Sequence, residues 1–97
     1  MAYAMAHSHE EQKKYLIAVK FLKRLFLCAK LLDDFEGTEI SLNKIGICYY
    51  MGGKFEESLS FHAKHFELTQ SSSGEHQISQ MISLYNQALC HRQMHLQ

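Results

Sequence analysis

The stretch KIGICYYMGGKFEESLSFH, residues 44–62, decides how this chain folds. Gly46 lies inside a run whose apolar residues recur with helical spacing, where glycine costs about 1 kcal/mol relative to alanine. Gly52 and Gly53 then break the run, and a second amphipathic pattern starts at once. A glycine in mid-helix, followed by a glycine pair and another helix, predicts two rods that must approach closely.

Working outward, the chain has no proline, and no segment alternates apolar and polar residues for long beside turn residues. The fold class is therefore all-α. Periodicity divides the sequence into about five helical segments, 2–12, 14–32, 38–51, 54–70 and 77–94. DDFEG separates the second from the third, with Thr38 as the expected N-cap. SSSGEH is a flexible connection before the last. The fourth segment shows its buried face as Phe55, Leu59, His62, Phe66 and Thr69, with Ser58 and Phe61 beside them. Short connections predict antiparallel helix hairpins.

Bulk properties exclude several classes. The 97 residues fit one small domain or a piece of a larger one, and residues 1–97 read as a single segment. Ten basic and ten acidic side chains cancel, so no strong field favours nucleic acid or an acidic membrane. No apolar run approaches the roughly 20 residues of a membrane span. MAYAMAHSHEEQKK has no basic n-region followed by an apolar h-region, so a cytoplasmic protein is expected. Cys28, Cys48 and Cys90 sit in apolar patterns and read as reduced core thiols.

Chemistry-bearing motifs are sparse. No phosphate loop, nucleophile elbow or Cys-His-Asp order is present, so the chain is not expected to be an enzyme or to need a cofactor. Among seven histidines, the pairs His62/His65 and His91/His95 have the spacing that puts two imidazoles on one helix face. Neither pair has a convincing third ligand, so no metal is expected, and buried hydrogen-bonded histidine is the plainer reading. Histidine titrates near neutrality, which predicts loosening in mild acid. Six of the ten basic residues lie between 13 and 30. That cluster opens a charge-driven alternative, contact with RNA or an acidic protein tail. The plainer reading is a solvated helix face balanced by DDFEGTE.

The hairpins repeat. Sliding residues 42–58 back by 40 lays Gly46 on Ala6, Phe55 on Tyr15 and Ser58 on Ala18. Sliding them forward by 42 lays Leu42 on Leu84, Gly46 on Ala88, Cys48 on Cys90 and Tyr49 on His91. Copies of about 2–34, 38–72 and 78–97 (partial) result, with small residues meeting small residues. Residues 42–68 resemble the tetratricopeptide repeat, W-x2-L-G-x2-Y, a turn glycine, then A-x3-F-x2-A. Leu42 takes the Trp position, Ile45 the Leu, Gly46 the Gly, Tyr49 the Tyr, Gly53 the turn glycine, Phe55 the aromatic and Ser58 the small residue. The string resembles the long variety, about 40 residues, seen in cell-polarity adaptors, kinesin light chains and some ciliary proteins. His62, His65 and Gln70 depart from the pattern.

The resemblance implies an α-solenoid segment that binds proteins or peptides in a concave groove, as part of cytoskeletal or ciliary assemblies. Its groove positions map onto Ile40, Asn43, Lys44, Ile47, Tyr50 and Met51, and onto Ile82, Tyr85, Asn86, Leu89, Arg92 and Gln93. Close packing is expected at Ala6, Ala18, Gly46, Gly53, Ser58 and Ala88. A hairpin cannot bury its apolar face alone. Two full copies and one extra helix therefore imply a segment of a longer array, a truncated form, or a piece completed by another molecule.

Overall fold

The computed structural model describes residues 8–70 and 76–96. Their regular structure is entirely helical: α1 His9–Leu31, α2 Phe35–Met51, α3 Phe55–Gln70 and α4 Gln77–Leu96. No helix among the described residues is long and apolar enough to cross a membrane.

Among the described residues four helices stand where five are expected, and the difference lies at the start; residues 2–7 of the expected first segment lie outside the described residues. α1 runs unbroken through residues 12–14, because Gln12, Lys13 and Lys14 are good helix formers and no glycine interrupts them. Ser8 begins it, its Oγ accepting the Glu11 N–H at 3.2 Å, with Glu10 and Glu11 at the positive end of the helix dipole. Residues 9–31 thus contain no hairpin, which removes the turn expected within copy 2–34. Thr38 is not a cap either. The Asp34 carboxylate accepts the Gly37 N–H at 3.0 Å and starts α2 three residues earlier than expected, while Thr38 Oγ1 donates to the Asp34 carbonyl at 2.7 Å.

Both described turns have the same build. Lys54 N–H reaches back to the Tyr49 carbonyl at 2.8 Å, and Asp34 N–H reaches Ala29 at 2.9 Å. Each turn needs one residue in the left-handed region: Gly53 at φ 79°, and Asp33 at φ 54°. Gly52 serves differently, since a Cβ there would lie 2.7 Å from Leu16 Cδ2 of α1. One glycine of the pair turns the chain and the other makes room.

Successive helices pack antiparallel. Leu16 lies at Gly52 and Ala29 at Gly37 between α1 and α2. Ser58 meets Gly46 and His65 meets Glu39 between α2 and α3. Cys90 meets Ser58 and Gln80 meets Thr69 between α3 and α4. Across the row, Asn86 reaches Asn43 and Lys23 covers the Phe61 ring. The result is a zigzag of two layers, α1 with α3 and α2 with α4, measuring 38 × 25 × 16 Å. Val19, Leu42, Ile45 and Phe55 form its apolar centre. α3 buries Phe55, Ser58, His62, His65 and Thr69, so its inner line is turned slightly from the expected one. Leu59, Phe61 and Phe66 are half-buried. Of the thiols, Cys90 is buried and Cys48 half-buried, but Cys28 is exposed, a correction to its reading as a core thiol.

Candidate partner-binding face

Gly46 is the pivot of the interior. Its carbonyl accepts the Ser58 hydroxyl at 2.6 Å, and the Cys90 thiol donates to the same Ser58 oxygen at 3.2 Å. One relay therefore ties α4 to α3 and α3 to α2. The His62 ring closes over the glycine: a Cβ there would lie 2.5 Å from His62 Cε1 and 2.6 Å from Nε2. The bare Cα is thus filled by an imidazole. Burial, with a smaller contribution from neighbouring His65, pushes the His62 pKa down to about 4. Burial also raises the Cys90 pKa, against the hydrogen bond to Ser58.

A second polar cluster lies toward the other end of α2. His65 Nε2 is 3.1 Å from Glu39 Oε1, and Ser79 also bonds that carboxylate. Partial burial opposes the Glu39 charge. The bonds from Ser79 and His65 and the nearby imidazoles of His65 and His76 outweigh it, holding the carboxyl below its ordinary value. His76 in turn stacks on Phe35 at 4.5 Å.

His62 also lines a hollow between α2 and α4. Ile47, Tyr50 and Met51 of α2, Asn86 and Leu89 of α4, and His62 of α3 enclose about 250 Å³. Beside it, Asn86 Nδ2 donates to Asn43 Oδ1 at 3.2 Å, joining the two helices of this layer. Tyr50 is held edge-on to Phe55 at 5.2 Å. The structure thus brings together Asn43, Ile47, Tyr50, Met51, Asn86 and Leu89 of the twelve expected groove positions. Ile40, Lys44, Ile82, Tyr85 and Arg92 are exposed. Gln93 is buried and presents nothing to a ligand, which corrects its place in the groove.

Of the expected close-packing residues, Gly46 and Ser58 are buried, Gly53 turns the chain and Ala18 is half-buried. Ala6 lies outside the described residues. Ala88 is exposed, contrary to expectation, because α4 buries its Ser83 and Cys90 line and no described helix lies on its far side. His62, Glu39 and Cys90 were not expected at the site. The α3 periodicity placed His62 inside; nothing local points Glu39 at a histidine 26 residues on.

A larger hollow, about 340 Å³, opens on the α1/α3 side, lined by Phe26, Lys30, Thr38, Leu42, Lys64, Glu67 and Leu68. Long charged side chains form part of its wall, so it is less suited to hold an apolar group than the one around Leu89. Comparison with family profiles, with curated proteins and with solved structures returns no match.

Proposed function

We propose that this chain is a non-enzymatic protein-interaction segment of the tetratricopeptide kind, using the α2/α4 layer to hold an apolar side chain of a partner protein. The observation that carries the reading is the hollow of about 250 Å³, walled by Ile47, Met51 and Leu89 and bordered by the Asn43–Asn86 bond. Such a site combines an apolar socket with amide groups able to bond a peptide backbone. The buried Leu42, Ile45, Gly46 and Ser58 at repeat positions support the family resemblance. Partners in cytoskeletal or ciliary assemblies follow from the same resemblance.

The test is binding of the full chain to an array of peptides, comparing the native sequence with Ile47→Glu and with a Tyr50→Ala, Tyr85→Ala double variant. A carboxylate in the socket is expected to cost at least tenfold in affinity, equivalent to about 1.4 kcal/mol. Binding that ignores both variants moves the site elsewhere. Raising salt should leave socket binding in place, whereas the charge-driven alternative through residues 13–30 would collapse. Against that alternative, Lys23 lies over the Tyr49 and Phe61 rings and Lys30 over Phe26, so part of the cluster covers the chain's own aromatics.

A further inference from the structure

No described helix covers the outer faces of α1 and α4, one at each end of the zigzag. On α1 and its C-cap the face holds Ile17, Phe21, Leu25 and Leu32; on α4 it holds Met81, Leu84 and Ala88. Leu25 is 59% exposed and Met81 68%. Contiguous apolar surface of this kind marks an interaction site.

The α2/α3 seam inside the chain shows what fits there. Residues 55–70 slid back by 40 fall on α1: Phe55 on Tyr15, Ser58 on Ala18, Phe61 on Phe21, His65 on Leu25. Residues 39–50 slid forward by 42 fall on α4: Glu39 on Met81, Gly46 on Ala88, Tyr49 on His91, Tyr50 on Arg92. Four contacts of the internal seam then have a matched counterpart between α4 and α1, while the His62 ring over Gly46 becomes Leu22 over Ala88. The Glu39–His65 pair becomes Met81 with Leu25, so the polar groups are exchanged for apolar ones on both sides at once. The Tyr49–Phe61 contact at 5.7 Å becomes His91 with Phe21. The Tyr50–Phe55 contact becomes Arg92 with Tyr15, a cation over a ring. Ser58 against Gly46 becomes Ala18 against Ala88, small on small.

Within one chain α1 and α4 sit at opposite ends of the row. We infer that α4 of one copy takes α1 of a second copy as α2 takes α3, so that copies stack head to tail. The antiparallel pairing sets Glu10 of one copy near the end of α4 that carries Arg92 in the other, a favourable match of side-chain charge. The contact is heterologous and therefore extends into an open row unless its rotation closes a ring. It uses the ends of the zigzag and does not depend on the α2/α4 socket.

Sedimentation and light scattering on the full chain test this. The native protein should show a mass that climbs with concentration above the 11.3 kDa of one chain. Leu25→Glu blocks the α1 end and Met81→Glu the α4 end, like charges at two positions that would face each other, and each variant alone should stay at the mass of one chain. Mixed in equal amounts they should give twice that mass, because the first still offers α4 and the second still offers α1. A native chain that remains single throughout overturns the inference. A single variant that still pairs with itself also overturns it, since that requires like faces to meet. Both sites are exposed, and far-UV circular dichroism should match the native spectrum. If either variant loses helicity, Ile17→Glu and Ala88→Glu block the same two ends. Ile47→Glu, which spoils the socket, should leave stacking unchanged.

Discussion

Gly46→Ala, made with and without His62→Ala, tests the central packing claim. Alanine in mid-helix gains about 1 kcal/mol over glycine from backbone entropy alone. At Gly46 the new methyl would stand 2.5, 2.6 and 2.9 Å from three atoms of the His62 ring, where ordinary contact is roughly 3.5–4 Å. The ring must retreat by about 1 Å, yet His62 is only 1% exposed and Ser58, one turn away, is bonded to the Gly46 carbonyl. Overpacking of this kind costs about 1–3 kcal/mol. Combining the two effects, Gly46→Ala should destabilise by about 1 kcal/mol and lower Tm by about 4–8 °C for a domain of this size. Once His62→Ala has removed the ring, at a cost of about 2 kcal/mol, the same glycine change should become stabilising by about 1 kcal/mol. The assay is thermal and urea unfolding of the four proteins, followed by circular dichroism. The diagnostic is the reversal of sign. An equal rise in Tm in both backgrounds would show that the imidazole does not fill the glycine gap.

Three further outcomes follow from the interior. His62 has a pKa near 4 in the folded chain against 6.5 when free, so the unfolded state takes up the proton first as pH falls. Stability from this group is complete above about pH 7, drains between about 6.5 and 4, and amounts to up to about 3 kcal/mol. Melting should drop by about 5–10 °C from pH 7.5 to 5.5; equal melts would refute this, and His62→Gln should flatten the profile. Glu39, its carboxyl held down, adds stability that is lost only at lower pH, below its ordinary value. Ser58→Ala removes the donor to the Gly46 carbonyl and the acceptor of the Cys90 thiol, and should cost about 1–3 kcal/mol in urea unfolding. At the turns, Asp33→Gly should stabilise by up to about 1 kcal/mol and Gly53→Ala destabilise by about 1 kcal/mol, since an L side chain is strained at these positive φ values. No change in Tm at either turn would contradict that account.

The glycines made much of this fold legible. Gly46 marked the close crossing and Gly53 the turn, and the apolar rhythm placed α3 and α4 within a few residues. Six expected groove positions gather because α2 and α4 run parallel with Asn43 against Asn86. Two failures share one cause, reliance on the repeat where local chemistry differs. Shifting by 40 residues demanded a hairpin near residue 12, but Gln12 and Lys13 stand where the middle copy has two glycines, and the helix continues. Asp33 fills the left-handed position that Gly53 fills in the next turn, and the DDFEG break was legible there, but the cap fell at Asp34 and not at Thr38. Ala88 inherited the role of Gly46 by alignment, but burial needs a covering helix as well as a small residue. The Glu39–His65 pair is a long-range meeting that no short window contains.

The distribution of polarity connects the interior to the ends. α4 buries Ser83, Cys90 and Gln93 while exposing Ile78, Met81, Ile82, Leu84 and Tyr85, the reverse of an ordinary surface helix. A seam of hydroxyls, imidazoles and amides contributes little net free energy, because its bonds replace bonds to water. What it supplies is register: Cys90 must meet Ser58, and Gln80 must meet Thr69, for those groups to be paired. Apolar surface stays exposed on the outer faces of α1 and α4, and covering it would gain about 25 cal/mol per Å². A polar seam that fixes geometry, joined to apolar ends that remain uncovered, is the arrangement expected of a unit stabilised by what docks on it. Its stability is then linked to the concentration of that partner.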